Sequence, residues 1–150
     1  MPQSFAKNLV HLVFSTKNRE PVLTRPICAP LCAYATGVFS DLGSPVTAIN
    51  AFRDHVHVLF TLDKNRALSQ VVMEVKRATS KWVKTRGAKF AKFHWQAGYG
   101  AFSIGQSGVG EVKTYIARQA EHHRTRSFED EFRALLRRYE IKFDEQYIWD

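Results

Sequence analysis

Apolar and polar residues alternate along several short stretches of this chain, and a period of two residues is typical of β-strands. The alternation is clearest at 8–16 and at 55–62. A tight turn at Arg53-Asp54 separates the second stretch from another short one at 46–52, so these two are predicted to form a hairpin. A fourth strand is predicted at 99–104, before a break that contains two glycines. The pattern therefore predicts four strands.

Helices are predicted between and after these strands. Residues 25–42 form one that begins near a proline, where proline is tolerated, and residues 67–85 place their apolar side chains at helical spacing. A third helix carries Tyr115. A sequence resembling a capping box at Ser127 begins a last helix, which is predicted to extend to about Tyr139.

The predicted order is strand, helix, strand, strand, helix, strand, followed by two further helices. This order predicts an α+β fold, a ferredoxin-like or RRM-like split βαβ antiparallel sheet with two additional C-terminal helices. Both crossover helices would pack on one face of the sheet and leave the other face open. The chain has the length of one ordinary domain, so residues 1–150 are expected to form a single domain.

Composition narrows the choice of partner. The chain has 22 Lys and Arg against 14 Asp and Glu, a formal net charge of +8, which favours a polyanion such as nucleic acid. No apolar run approaches the roughly 20 residues of a membrane-spanning helix, and no signal peptide is recognisable. We therefore expect a cytoplasmic protein without a membrane partner. Cys28 and Cys32 are expected to be reduced thiols, because two cysteines alone make a poor zinc site.

The sequence His55-Val56-His57 lies within a predicted strand, so both imidazoles project from the same face of the sheet. Residues two apart on a strand lie roughly 6.5 to 7 Å apart, which allows the two rings to converge on one divalent ion. His11 is expected to lie near this pair as a core or supporting histidine, whereas His94 and His123 are assigned no role. The alternative is a strand with incidental surface histidines.

Tyr115 and Gln119 are four residues apart and share one face of the predicted helix, and His122 extends that face by one turn. Two imidazoles and the amide oxygen of Gln119 would make a neutral ligand set for Mg²⁺ or Mn²⁺, with His122 as the alternative third ligand. Tyr115 would be the nucleophile. The same spacing is also ordinary for a helix packed on its neighbours.

These motifs together resemble the single-tyrosine HUH transposases of the insertion-sequence 200/605 class, the IS200-like transposases. The resemblance rests on the His-hydrophobic-His strand and on the helical Tyr with a Gln four residues later. It extends over nearly the whole chain through three flanking segments: 11–17, 95–103 and His122-His123.

The resemblance implies a DNA transposase that cleaves and rejoins single-stranded DNA. Tyr115 would form a 5′-phosphotyrosine and release a 3′-hydroxyl, and Gln119 would be preferred to His122 as the ligand that completes the metal site of His55 and His57. The expected partner is single-stranded DNA with hairpins at the ends of a mobile element. A homodimer is also implied, paired through the edge strand at 99–104, in which Tyr115 acts in cis or in trans. A domesticated relative would keep the same site.

Basic residues beside aromatic ones suggest where DNA binds, since cations neutralise phosphates and aromatic rings stack on unpaired bases. The predicted contacts follow one helix and the loop after it: Lys76, Arg77, Lys81, Lys84, Lys89 and Lys92. A solvated helix face would have the same composition. Two other functions remain open, a noncatalytic RNA- or single-stranded-DNA-binding module of RRM-like fold, and a metal-dependent hydrolytic nuclease.

Overall fold

The structure is a computed structural model that describes residues 2–150. Its strands and helices confirm the predicted elements to within about two residues at most ends. The four strands are β1 (Asn8–Ser15), β2 (Val46–Phe52), β3 (His55–Leu62) and β4 (Gly100–Ile104). The helices are α1 (Arg25–Asp41), α2 (Leu68–Lys84), α3 (Val109–Ala117), α4 (Gln119–His122) and α5 (Phe128–Arg138).

The sheet has the strand order β2-β3-β1-β4, and all of its strand pairs are antiparallel. β1 and β3 are therefore the central strands, and the register places His57 opposite Val13 of β1 and Asn50 of β2. β4 lies at one edge, as the sequence predicted. This arrangement confirms the α+β split βαβ fold.

One face of the sheet carries the larger apolar core. Val56, Val58 and Phe60 alternate along β3 and are almost completely buried. They pack with apolar residues of α1 and α2, for example Ile27 and Val75. The period of two in the sequence thus directs every second residue of β3 into this core.

The opposite face was predicted to be open, with the helix that carries Tyr115 free to lie across it. The structure places α3 on this face as expected, but α5 also covers it, so the face is not open. Leu59 packs with Ile116 of α3, and Val13 packs with Phe128 and Phe132 of α5. α5 covers this face because its apolar stripe, which begins after the cap at Ser127, needs a surface to bury it. Ser127 accepts a hydrogen bond from the backbone N–H of Asp130, which confirms the predicted start of this helix.

The residues after α5 return to the sheet. The Gly98 N–H donates to the carbonyl oxygen of Asp150 at 2.8 Å. The Arg19 guanidinium lies 5.2 Å from the centre of the Trp149 ring and donates to its carbonyl oxygen. Among the described residues, no helix is both long and apolar enough to span a membrane.

Candidate metal centre and tyrosine site

The two histidines of β3 lie side by side on the face covered by α3 and α5, and at most 1% of either residue is exposed. The Asp54 carboxylate lies 2.7 Å from Nδ1 of His55, and Nε2 of His11 lies 2.8 Å from Nδ1 of His57. Each contact fixes one nitrogen of its ring and leaves Nε2 directed into the protein, the arrangement that partners of metal-binding histidines impose.

Two oxygen atoms lie next to these nitrogens. Oε1 of Gln119 is 3.0 Å from Nε2 of His55, and Oε1 of Glu131 is 2.9 Å from Nε2 of His57. The ligand atoms of His55, His57 and Glu131 all lie within 4.8 Å of one another. Neighbouring ligand atoms around an octahedral ion with bonds of about 2.1 Å are about 3 Å apart. This buried group can therefore bind a divalent metal.

The donors and acceptors around His55 also fit an ion. Its Nδ1 faces a carboxylate oxygen of Asp54 and its Nε2 faces the oxygen of Gln119, so both ring nitrogens meet acceptors. In the neutral ring that ligation requires, an N–H at Nδ1 would donate to Asp54 and leave the lone pair of Nε2 for a metal. A metal between Nε2 and the amide oxygen would satisfy both atoms.

Burial favours the neutral form of His57 and His11, and a neutral ring is the form that can bind a metal. Burial lowers the pKa of His57, although the hydrogen bond to Glu131 opposes this effect. Burial and the neighbouring His57 lower the pKa of His11 to about 3. His11 thus supports His57 through a hydrogen bond, in agreement with the supporting role expected for it.

Glu131 of α5 is a central residue of the site that the sequence analysis missed. It is fully buried, and its Oε1 accepts hydrogen bonds from Nε2 of His57 and, at 3.2 Å, from Nε2 of His123. Its Oε2 accepts a hydrogen bond from the hydroxyl of Tyr115. Burial alone would raise the pKa of this carboxyl, but the bonds from His123, His57 and Tyr115 hold it well below its usual range.

The role of Glu131 could have been recognised in the sequence from its position among the apolar residues of the last helix. Phe128, Phe132 and Leu135 form the buried stripe of α5, and Glu131 lies on the same stripe. A charged residue there requires a buried partner. His123, to which the sequence analysis assigned no role, is one of these partners.

Tyr115 is half-buried on α3, and its ring centroid is 5.7 Å from that of His57. Its hydroxyl donates to Glu131, so one carboxylate connects the phenol to a predicted metal-binding histidine. Burial and the nearby Glu131 carboxylate raise the pKa of Tyr115 well above its ordinary value. The phenol therefore holds its proton until an acceptor removes it.

Of the two candidates for a third ligand, the structure brings Gln119 and not His122 to the histidine pair. The helix is interrupted at Arg118, which lies between α3 and α4. Nε2 of His122 is 3.2 Å from the carbonyl oxygen of Tyr115, and the His122 ring stacks on the Tyr115 ring with centroids 4.6 Å apart. Its ring therefore packs on the tyrosine and makes no hydrogen bond to the histidine pair.

The basic residues predicted to contact DNA lie apart from this site. α2 packs on the apolar face of the sheet, opposite Tyr115. Lys76 is half-buried, donates to the carbonyl oxygen of Gln96 at 2.9 Å, and has its pKa lowered to about 8 by burial. The other five have exposed side chains: Arg77, Lys81, Lys84, Lys89 and Lys92.

The chain matches one known family over most of its length. The family model described as "Transposase IS200 like" matches residues 4–119. The chain belongs to the IS200-like transposase family. This confirms the family inferred from the histidine and tyrosine motifs. The match ends at Gln119, so His123 and Glu131 lie outside the matched residues.

Solved structures share the fold of this family member. A protein described as a candidate transposase of Deinococcus radiodurans R1 has a TM-score of 0.62 and 19% identity, with coverage of 79% of this chain and 98% of that one. A REP-associated tyrosine transposase bound to a REP hairpin has a TM-score of 0.59 and 16% identity, with coverage of 82% of this chain and 73% of that one. No curated protein matches the chain.

Proposed function

We propose that this protein is a metal-dependent tyrosine transposase that cleaves and rejoins single-stranded DNA through a 5′-phosphotyrosine intermediate. One observation carries the proposal. The hydroxyl of Tyr115 is hydrogen-bonded to Glu131, and the other oxygen of this carboxylate is bonded to His57 in the candidate metal site. The proposed nucleophile and the candidate metal site are thus connected through residues of β3, α3 and α5 in a chain of the IS200-like transposase family.

The proposed ligands of Mg²⁺ or Mn²⁺ are His55, His57 and Gln119, with Glu131 as a fourth. Carboxylate and amide oxygens suit both ions, and two imidazoles suit Mn²⁺ at least as well as Mg²⁺. A bound ion would act as a Lewis acid on the scissile phosphate and neutralise charge in the transition state.

The protein's own groups account for the movement of the tyrosine proton. Oε2 of Glu131 accepts the proton of the Tyr115 hydroxyl as the phenolic oxygen attacks phosphorus. The bond between phosphorus and the 3′-oxygen breaks, and the 3′-oxygen leaves and takes a proton from water. In the reverse reaction a 3′-hydroxyl gives its proton back to the solvent as its oxygen attacks the phosphotyrosine, the bond between phosphorus and the tyrosine oxygen breaks, and Glu131 returns the proton to Tyr115. The phosphodiester bond is conserved as an ester, which favours rejoining over hydrolysis.

The proposed substrate is single-stranded DNA that carries hairpins. The fold is shared with a REP-associated tyrosine transposase whose structure contains a REP hairpin. Positive charge on this chain is consistent with such a partner, and the exposed basic residues of α2 and the loop after it are its proposed contacts. Lys76 is proposed to belong to the same DNA-binding surface. Its ammonium group donates to the carbonyl oxygen of Gln96 and so holds this surface to the loop before β4.

We also propose a homodimer paired through the exposed edge of β4, since an edge strand offers unpaired backbone groups. Tyr115 is proposed to act in cis, because it contacts Glu131 and His57 of its own chain. Mixing the Tyr115→Phe protein with the His57→Ala protein tests whether Tyr115 acts in cis or in trans. Action in cis predicts no covalent product from the mixture, and restored product would show action in trans.

The proposed function is tested on a denaturing gel with labelled hairpin DNAs that have single-stranded flanks, in Mg²⁺ or Mn²⁺. We expect a slowly migrating covalent species that requires the metal and is absent for Tyr115→Phe and His57→Ala. Tyr147→Phe is the matched control, because the Tyr147 residue is 63% exposed. Binding without a covalent species would support a noncatalytic binding module, and cleavage that persists in Tyr115→Phe would support a hydrolytic nuclease.

A further inference from the structure

A groove borders Tyr115 next to the buried cluster. It lies between α3 and α5, and its volume is about 590 Å³, within the roughly 300–1,000 Å³ typical of ligand sites. His11 and Tyr115 form part of its lining. His57 and Gln119, in contrast, are completely buried. A ligand in the groove therefore reaches the Tyr115 side chain before it reaches the candidate metal ligands.

The groove has positive charge on both helices that border it. Arg118 follows α3 directly and Arg138 ends α5, and both side chains line the groove. Arg118 has one carboxylate neighbour, Glu121, at 4.0 Å between two exposed side chains. A surface pair of this kind is weak, so the guanidinium remains available to an anion. Glu111 is the acidic residue in the lining.

Two aromatic groups in the lining provide flat surfaces. The Tyr139 ring is stacked on Phe102 with centroids 4.7 Å apart, and the His122 ring is stacked on Tyr115. Both rings are thus held rigidly at the groove. Basic side chains combined with fixed aromatic rings are the features that bind single-stranded nucleic acid, because phosphates pair with the cations and unpaired bases stack on the rings.

We infer that the groove between α3 and α5 binds the single-stranded segment that contains the scissile phosphate, with Arg118 and Arg138 on its phosphates and Tyr139 against a base. The inference rests on the proposed function, and it adds a second DNA surface on the opposite face of the sheet from α2. The groove would hold the flexible strand, while the basic side chains of α2 remain for the hairpin.

Binding is measured with a fluorescent thymidine oligonucleotide of about ten nucleotides by anisotropy, in the Tyr115→Phe background so that no covalent product forms. Arg118→Gln and Arg138→Gln are each expected to weaken binding on the order of three- to tenfold. Each should also reduce the slope of log affinity against log salt by about 0.7, the value for one phosphate contact on a single strand. Arg137→Gln is the matched control, since Arg137 is exposed beside Arg138 but does not line the groove.

Two further variants are expected to change the affinity for the oligonucleotide in opposite directions. Glu111→Gln should tighten binding about twofold, because it removes a negative charge from the groove. Tyr139→Ala should weaken binding about fivefold or more, and Tyr139→Phe should restore it, because a ring rather than a hydroxyl is needed for stacking.

Unchanged affinity and salt slope in both arginine variants would overturn the inference, as would failure of the oligonucleotide to bind. Loss of binding in Lys81→Gln and Lys84→Gln instead would place the strand on α2. The covalent assay with unaltered arginines separates this result from the proposed function. Groove-dependent binding without a covalent product supports the groove and contradicts the transposase chemistry, whereas a covalent product with no effect of the arginines does the reverse.

Discussion

The two faces of the sheet are both buried, but they bury different chemistry. Against α1 and α2 the strand β3 presents Val56, Val58 and Phe60, which need no specific partners. Against α3 and α5 it presents His55 and His57. Each ring nitrogen of these histidines requires a specific polar partner. Because side chains alternate along β3, the residues that stabilise the fold lie on one face of the sheet and the candidate metal ligands lie on the other. Apolar burial is non-directional, while the polar cluster depends on the positions of side chains from five elements: β1, β3, α3, α4 and α5.

The largest expected effect on stability is on the apolar face. Phe60→Ala removes a fully buried ring and should reduce the free energy of unfolding by about 3–5 kcal/mol, measured by urea denaturation. Phe5→Ala is the control, because Phe5 is 88% exposed and should cost little. Should Phe60→Ala fail to fold, Phe60→Leu provides a milder test, with a loss below about 1.5 kcal/mol. Equal stabilities of the Phe60→Ala and Phe5→Ala proteins would contradict the assignment of the core.

The next largest effect is on reaction rate and comes from the polar face. Glu131→Gln keeps the size of the side chain but removes the carboxylate that accepts the Tyr115 proton. Covalent product should form about 100-fold more slowly, equivalent to about 2.7 kcal/mol, while binding of the oligonucleotide is unchanged. Glu129→Gln, two residues away on α5, should react at the normal rate. An unaltered rate in Glu131→Gln would remove Glu131 from the chemistry.

Metal binding should stabilise the protein only while the polar cluster is complete. At a Mn²⁺ concentration about 100 times its Kd, the gain in unfolding free energy is about 2.7 kcal/mol, and His57→Ala should lose it. His94→Ala is the control, because that histidine is exposed. Calorimetric titration with Mn²⁺ gives an independent readout. Similar stabilisation of the His57→Ala protein would show that the ion binds elsewhere.

The smallest effect concerns how α5 is held over the polar face. Ser127→Ala removes the side-chain oxygen that accepts from the Asp130 N–H and should cost about 1 kcal/mol. The exposed Ser107 provides the control in Ser107→Ala. Because α5 carries Glu131, the Ser127 variant should also bind Mn²⁺ slightly more weakly. A loss of stability without any change in Mn²⁺ affinity would separate the cap from the site.

Much of the fold was predictable because local patterns determine it. The alternation in β3 identified both its strand character and the shared face of His55 and His57, and a spacing of four placed Gln119 on the face of Tyr115. Each of these relations depends on backbone geometry within a few residues. The family resemblance then supplied the relation between the two motifs.

The rest of the site depends on contacts distant in sequence. Glu131 and His57 are separated by 74 positions, and their contact exists only because α5 docks on the sheet. The helix is interrupted at Arg118, so His122 does not continue the helix face that Tyr115 and Gln119 were predicted to share. No local signal in the sequence marked this break. Lys76 resembled its exposed neighbours on α2, yet packing directs its ammonium group to a backbone carbonyl.

The central claim is that Tyr115, adjoining a metal site on the polar face, forms the covalent bond to DNA. Mass spectrometry of peptides from protein incubated with hairpin DNA and Mn²⁺ tests it most directly. The account predicts nucleotide attached to the peptide that contains Tyr115, and only when the metal is present. Nucleotide attached to another tyrosine, or cleaved DNA with no modified peptide, would contradict it.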